Sequence, residues 1–198
     1  MKKKIISLLI IVATSIGFVN AQGGGYLSFN YAPGFATGAL NDYISQPSFR
    51  GFLFEYKYAV NDNIHIGVDA GWNYFYERKD FAVYEFDNVA ISGIQYRSSY
   101  NVPVLFAAEY HFVTESAFRP YVNFGLGTMY NLRSTDMGMY RVQTDVWQFV
   151  VKPEIGFMYE LFSKGALKFS AKYYNAFEAD HIDGQSYISL GFGYVILL

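Results

Sequence analysis

The residues equipped for chemistry in this 198-residue chain are few, and many stand two apart. Glu55, Lys57, Asp69, Glu109, Lys152, Glu154, Lys168 and Lys172 are four acids and four bases. A spacing of two puts both side chains on one face of a strand. Charges sharing such a face form either a compensated ion-pair network or the lining of a narrow ion path. His65 and His111 fall on the same alternation. A histidine pair can ligate a metal or sense pH. No third ligand stands at a recognisable spacing, and Glu109, two residues from His111, offers a hydrogen-bond partner instead. Glu178, Asp180 and Asp183 form an acidic cluster, but the carboxylate that would close a Ca²⁺ loop at its twelfth position is missing. His181, Ser186 and Asp180 or Asp183 are the residue types of a hydrolytic site. No G-x-S-x-G motif accompanies them. We therefore expect no enzyme, no cofactor and no metal centre.

The elements that position these residues are strands. Strict alternation of apolar with other residues runs through eight segments: 27–35, 52–60, 64–76, 100–112, 120–130, 147–159, 167–175 and 188–198. Their apolar parity comprises 48 positions without a charge, where random placement at the chain's 16% charged content would leave about eight. Only Thr128 and Asn175 are polar there without carrying a ring. The other parity holds the eight charges, both histidines, Tyr26, Tyr121, Tyr174 and Tyr187, and glycines such as Gly67, Gly127, Gly156, Gly191 and Gly193.

That partition identifies the solvent on each side. A soluble barrel turns its apolar face inward, but 48 mostly large side chains do not fit a lumen that eight strands barely open. Small and charged residues fit such an interior, and a continuous Phe, Tyr, Val and Ile exterior fits hydrocarbon. Composition agrees: 52% hydrophobic and 20% aromatic with only 16% charged is unusual for a soluble domain. No apolar run after the first 19 residues is long enough for a spanning helix, about 20 residues. An even number of antiparallel strands closes the sheet, as lipid requires. We expect an all-β, eight-stranded antiparallel transmembrane β-barrel.

Connections alternate in length. Those at 61–63, 113–117 and 163–165 are short; those at 36–51, 77–99, 131–146 and 176–187 are long. Short periplasmic turns and long outer loops put both termini on the periplasmic side. Trp72, Tyr74, Tyr76, Tyr100, Tyr130, Trp147 and Tyr173 cluster near the long loops, and Tyr56, Tyr58, Tyr110, Phe112, Tyr159 and Tyr194 near the turns. Two such belts fit two headgroup layers. The aromatic and acidic stretch 81–86 reads as a hairpin rising above the membrane, with an edge suited to strand addition. Pro103 and Pro153 lie inside strands, where we expect bulges.

Lys2, Lys3 and Lys4 precede an apolar segment at 5–19 and small residues at Val19 and Ala21. This reads as a cleaved secretory signal over 1–21, leaving a barrel domain over 22–198. The mature chain then carries 12 basic against 17 acidic residues and no basic cluster, which argues against nucleic acid. With no cysteine, no disulfide is available.

Asn101-Val102-Pro103-Val104-Leu105-Phe106, then Arg119-Pro120-Tyr121-Val122 with Phe124-Gly125-Leu126-Gly127, and the closing Ser189-Leu190-Gly191-Phe192-Gly193-Tyr194 resemble the small outer-membrane barrels of the OmpA/OmpX type. The order of these motifs is similar to that of the PorT-like, porin-family branch. Such barrels commonly finish on an aromatic residue; this chain finishes on Leu198. The resemblance implies a monomeric protein embedded in outer-membrane lipid, non-enzymatic, with loops 77–99 and 176–187 offering surface to a protein or other ligand. Alternatives are a narrow ion or solute channel, a secretion-machinery component (implied by the PorT-like likeness alone) and a lipid A-modifying enzyme.

Overall fold

The alternation becomes strands because each rank of side chains has its own solvent, and a two-residue period is the only one that keeps the ranks apart. The computed structural model describes residues 24–86, 89–180 and 182–198. The expected signal segment lies outside them. Chain order is β1 (Gly25–Tyr31), β2 (Gly34–Thr37), α1 (Gly38–Tyr43), β3 (Gly51–Ala59), β4 (Ile64–Phe86), β5 (Val89–His111), β6 (Phe118–Met137), β7 (Tyr140–Phe162), β8 (Gly165–Ala176) and β9 (Gln185–Leu197). From β3 to β9 every strand pairs antiparallel with the next. β1 pairs with β3 on one side and β9 on the other, which closes a ring of eight. β2 continues β1 along β9 after an interruption at Ala32-Pro33, so the two form one broken stave. Pro33 has no N–H to give a ladder, but its carbonyl accepts from the Leu190 amide at 3.1 Å, so β9 runs on past the break.

Parity decides exposure throughout. Every position the alternation assigns outward is at least partly exposed, and all eight charged residues are buried. Phe106 is 72% exposed whereas Lys152 is 0%. Only a transmembrane β-barrel arranges the two faces this way. The narrow bore requires close strand crossings, which glycine permits. A Cβ on Gly127 would run into the Val104 carbonyl of the neighbouring strand.

Three expectations need correction. The region 131–146 is not a long loop: β6 and β7 run through it and turn at Gly138-Met139. The connection 77–99 is almost wholly strand, the hairpin that its stretch 81–86 suggested, so β4, β5 and β7 each reach 23 residues. A membrane-crossing strand needs about 9–11, and the remainder stands beyond the barrel. The connection 36–51 carries the end of β2 and all of α1. Finally, the prolines make no bulges. The β4–β5 register runs from Ala70↔Val104 to Asn73↔Asn101 without a shift across Pro103. The β7–β8 register does the same across Pro153, from Val151↔Asn175 to Glu154↔Lys172. Each proline omits its hydrogen bond and leaves the strand count unchanged. Register shifts occur instead at Lys79/Ala82 and Glu160/Phe162.

Candidate functional site

The lumen is filled in layers. At the end bearing the short turns, His65, His111, Asp62, Glu115 and Arg119 line a vestibule of about 430 Å³. The His111 Nε2 lies 2.7 Å from Glu109 Oε1, as the sequence suggested. The His65 ring packs edge-on against His111 at 4.8 Å and against Tyr26 at 5.8 Å. Above the vestibule Tyr26, Tyr121, Met158, Ala166 and Val195 close an apolar layer.

The eight charged residues form the next layer, and the fold brings all of them together. Lys57 donates to Asp69 at 2.6 Å from the adjacent strand. Lys152 donates to Asp69 at 2.6 Å and to Glu154 at 2.7 Å, and stands 3.9 Å from Glu55. Glu55, Asp69 and Glu154 converge closely enough to hold a cation; the Lys152 ammonium occupies that centre. Lys168 reaches Glu55 at 3.0 Å and Glu109 at 3.2 Å, and Lys172 lies 3.7 Å from Glu154. Neutral donors complete the layer: Tyr26 to Glu109 at 2.6 Å, Tyr121 to Glu154 at 2.8 Å, and Ser28 to Glu55 at 2.8 Å. Two strands, β5 and β6, separate Asp69 from Lys152, so their bond crosses the bore. Room for these long side chains comes from glycine. A Cβ on Gly191 would strike the Lys172 ammonium, and one on Gly156 the Tyr121 hydroxyl.

A second apolar layer lies beyond the charges. Leu40 and Ile44 project from α1 and its C-cap into Phe75, Leu105, Met129, Val150, Tyr174 and Tyr187. No periodicity announces this plug, because a six-residue helix is too short to show one. Asn131 joins Ser99, Asn101 and Gln185 by side-chain hydrogen bonds. At the mouth itself Tyr43 lies against Arg97 and Arg133, with guanidinium carbons 5.2 and 5.1 Å from its ring centre. Neither arginine was singled out from the sequence. Counting the parity of β6 onward from Met129 through Asn131 places Arg133 inward.

The residue types of a hydrolytic site do not meet as one. Ser186 is buried on β9, where it accepts from the Thr37 hydroxyl at 2.9 Å and donates to the Thr37 carbonyl at 3.1 Å. His181 lies outside the described residues. Asp180 sits at a tight turn with φ 51°, beside the Ala179–Ile182 bridge.

Beyond the mouth β4 to β7 continue as a four-stranded sheet. Its outward face changes from Tyr76, Tyr100, Tyr130 and Trp147 to Arg78, Ser98, Ser134 and Asp145 within two or four residues along each strand, and this marks the level at which lipid gives way to water. The pairing of β3 with β4 stops at Gly51↔Asn73, and that of β7 with β8 at Val150↔Ala176. Among the described residues, Tyr140 to Val146 of β7 have no strand on their far side.

No family model matches the chain, and no curated protein matches it. Solved structures do share its fold. Neisserial surface protein A aligns over 88% of this chain and 99% of its own, with a TM-score of 0.58 and 16% identity. Ail, the attachment invasion locus protein of Yersinia pestis, crystallised with the heparin analogue sucrose octasulfate, aligns over 90% and 100%, with a TM-score of 0.54 and 11% identity. These neighbours are small eight-stranded outer-membrane barrels, so the chain has the OmpA/OmpX-like fold that its motifs implied.

Proposed function

We propose that this chain is a non-enzymatic, monomeric outer-membrane barrel whose sealed lumen is structural and whose protruding sheet offers binding surface outside the cell. One observation carries the reading. The bore is closed by three successive layers, while four strands continue well past the aromatic girdle into a sheet with unpaired edges. Material invested outside the membrane, with none left open inside it, favours recognition over transport. The long-hairpin end then faces outward and both termini face the periplasm, in keeping with short turns on that side. A cleaved signal over 1–21 delivers the chain there. An unpaired strand such as that at 140–146 can be extended by a strand from a partner, and Arg141 and Asp145 on it discourage indiscriminate pairing. The closed ring leaves no edge within the lipid that would demand a second subunit.

The test combines two measurements. Refolded protein in planar bilayers should give no discrete conductance steps, and lipid A from a strain lacking the gene should have an unchanged mass spectrum. Resolved steps, or an altered lipid A restored by complementation, would reject the reading in favour of a channel or an enzyme respectively.

A further inference from the structure

The mouth holds a guanidinium group two of whose nitrogens are buried with nothing to bind. Arg133 enters from β6, and its Nε and Nη2 are buried without a hydrogen-bond acceptor. Among the described residues it makes no ion pair, and the carboxylate whose charge it feels, that of Asp183, is too distant for one. Its close neighbour is the Tyr43 ring. Arg97 packs on the same ring and is also without a carboxylate, although its own donors are partly used: Nε on Gln95 at 2.6 Å and Nη1 on the Tyr43 carbonyl at 3.0 Å. Glu77, opposite Arg97 in the β4–β5 register, is already engaged by Lys79 at 2.7 Å and by the Ser45 amide and hydroxyl at 2.8 and 3.0 Å. Lys79 and Glu77 therefore cancel, and among the described residues neither guanidinium has a carboxylate within ion-pair distance, Asp183 and Asp136 acting only from farther off. Tyr43 itself is fixed, its hydroxyl donating to the Ser134 carbonyl at 2.9 Å with Thr135 Oγ1 at 2.7 Å.

This arrangement contrasts with the charge layer below, where each ammonium has carboxylates. Buried donors without acceptors cost free energy. A tetrahedral oxyanion removes that cost, because its several acceptor atoms match guanidinium N–H groups. The mouth is reachable, since Tyr43, Arg97 and Arg133 are each only partly buried. We propose that it is an oxyanion site in which Arg133, with Arg97 packed on the same Tyr43 ring, binds a phosphate or sulfate group, and Tyr43 holds the two arginines in place. The group would belong to a soluble ligand or to a lipid headgroup at the rim.

The experiment uses the refolded full mature chain in maltoside micelles, which carry no phosphate. Inorganic phosphate and sulfate are titrated while the arginine Nε–Hε resonances are followed by NMR. The Arg133 and Arg97 signals should shift saturably, and that of Arg141, at the exposed hairpin tip, should not. Arg133→Gln should weaken the Arg97 response about tenfold or more, with Arg141→Gln as the unaffected control and heat-modifiable migration reporting folding. Nanodiscs containing phosphatidylglycerol, without free phosphate, distinguish the sources: a reproduced shift assigns the group to headgroups, and no shift assigns it to a soluble ligand. A drift that chloride produces equally, or a saturable response that survives in folded Arg133→Gln, overturns the proposal.

Discussion

At Lys152 one ammonium stands within 2.7 Å of two carboxylates and 3.9 Å of a third. Removing it leaves three acids facing one another away from water. Breaking a buried pair by deleting one partner costs about 3–5 kcal/mol. Lys152→Met should lower the stability of the refolded barrel by about that amount in urea titrations on lipid vesicles. A change under about 1 kcal/mol would mean that water enters the layer and solvates it. Gly191→Val tests the same layer sterically, by pushing the Lys172 ammonium from its place; a lower urea midpoint is expected. The eight charges were legible in the sequence because each keeps the parity of its strand. Arg133 obeys the same parity, but it sits where the pattern of a membrane strand has already ended. Its partner Tyr43 comes from a connection with no period at all.

At the scale of elements, strand length was the quantity least visible beforehand. Alternation marks a strand only while its two faces meet different solvents. Beyond the girdle both faces of β4 to β7 meet water, so Arg141, Val142, Gln143 and Thr144 read as loop although they are strand. The β6–β7 tip is held by Asp136 and Arg141, which face each other in register. The hydrogen bond from Arg141 holds the Asp136 carboxyl below the usual carboxylate range, with burial working slightly against it. A depressed folded value means the stabilisation is present above the unfolded aspartate value of about 3.9 and is lost as pH falls through the folded one. Amide exchange at 136–141 should therefore accelerate on acidification below about pH 4, relative to the intrinsic rate. Asp136→Asn should abolish that dependence and leave the barrel strands unchanged. An exchange profile for the tip that is flat with pH in the parent protein would show that the pair does not hold it. The pair is exposed, and its effect on global stability should be negligible.

For the whole molecule, the partition of 48 uncharged positions from eight charged ones determined the solvent, and closure followed because lipid tolerates no open edge. What the sequence could not show was how completely the bore is filled, since filling depends on which side chains cross it. The layers lie in series, so opening one does not open the barrel. Deleting 38–44, and with it the α1 plug, should leave bilayers silent. Conductance should appear only when Asp69, Lys152 and Glu154 are also replaced by alanine. Steps from the plug deletion alone would show that the charge layer is permeable.

Among the described residues, the pairing of the broken β1–β2 stave with β9 is the one contact in the ring between strands distant in sequence. Every other neighbour is joined by a hairpin or by the 32–50 connection and can zip as it forms. Final closure thus carries the largest loop entropy and should come last. Bonds that cross the bore, such as Tyr26 to Glu109, depend on that event. A slip of one residue at the seam would turn one stave inside out, setting Tyr26, Ser28 and Asn30 against lipid and taking their hydrogen bonds from Glu109 and Glu55. The charged layer thereby acts as a proofreader of assembly: it rewards only the ring in which every strand has found its register.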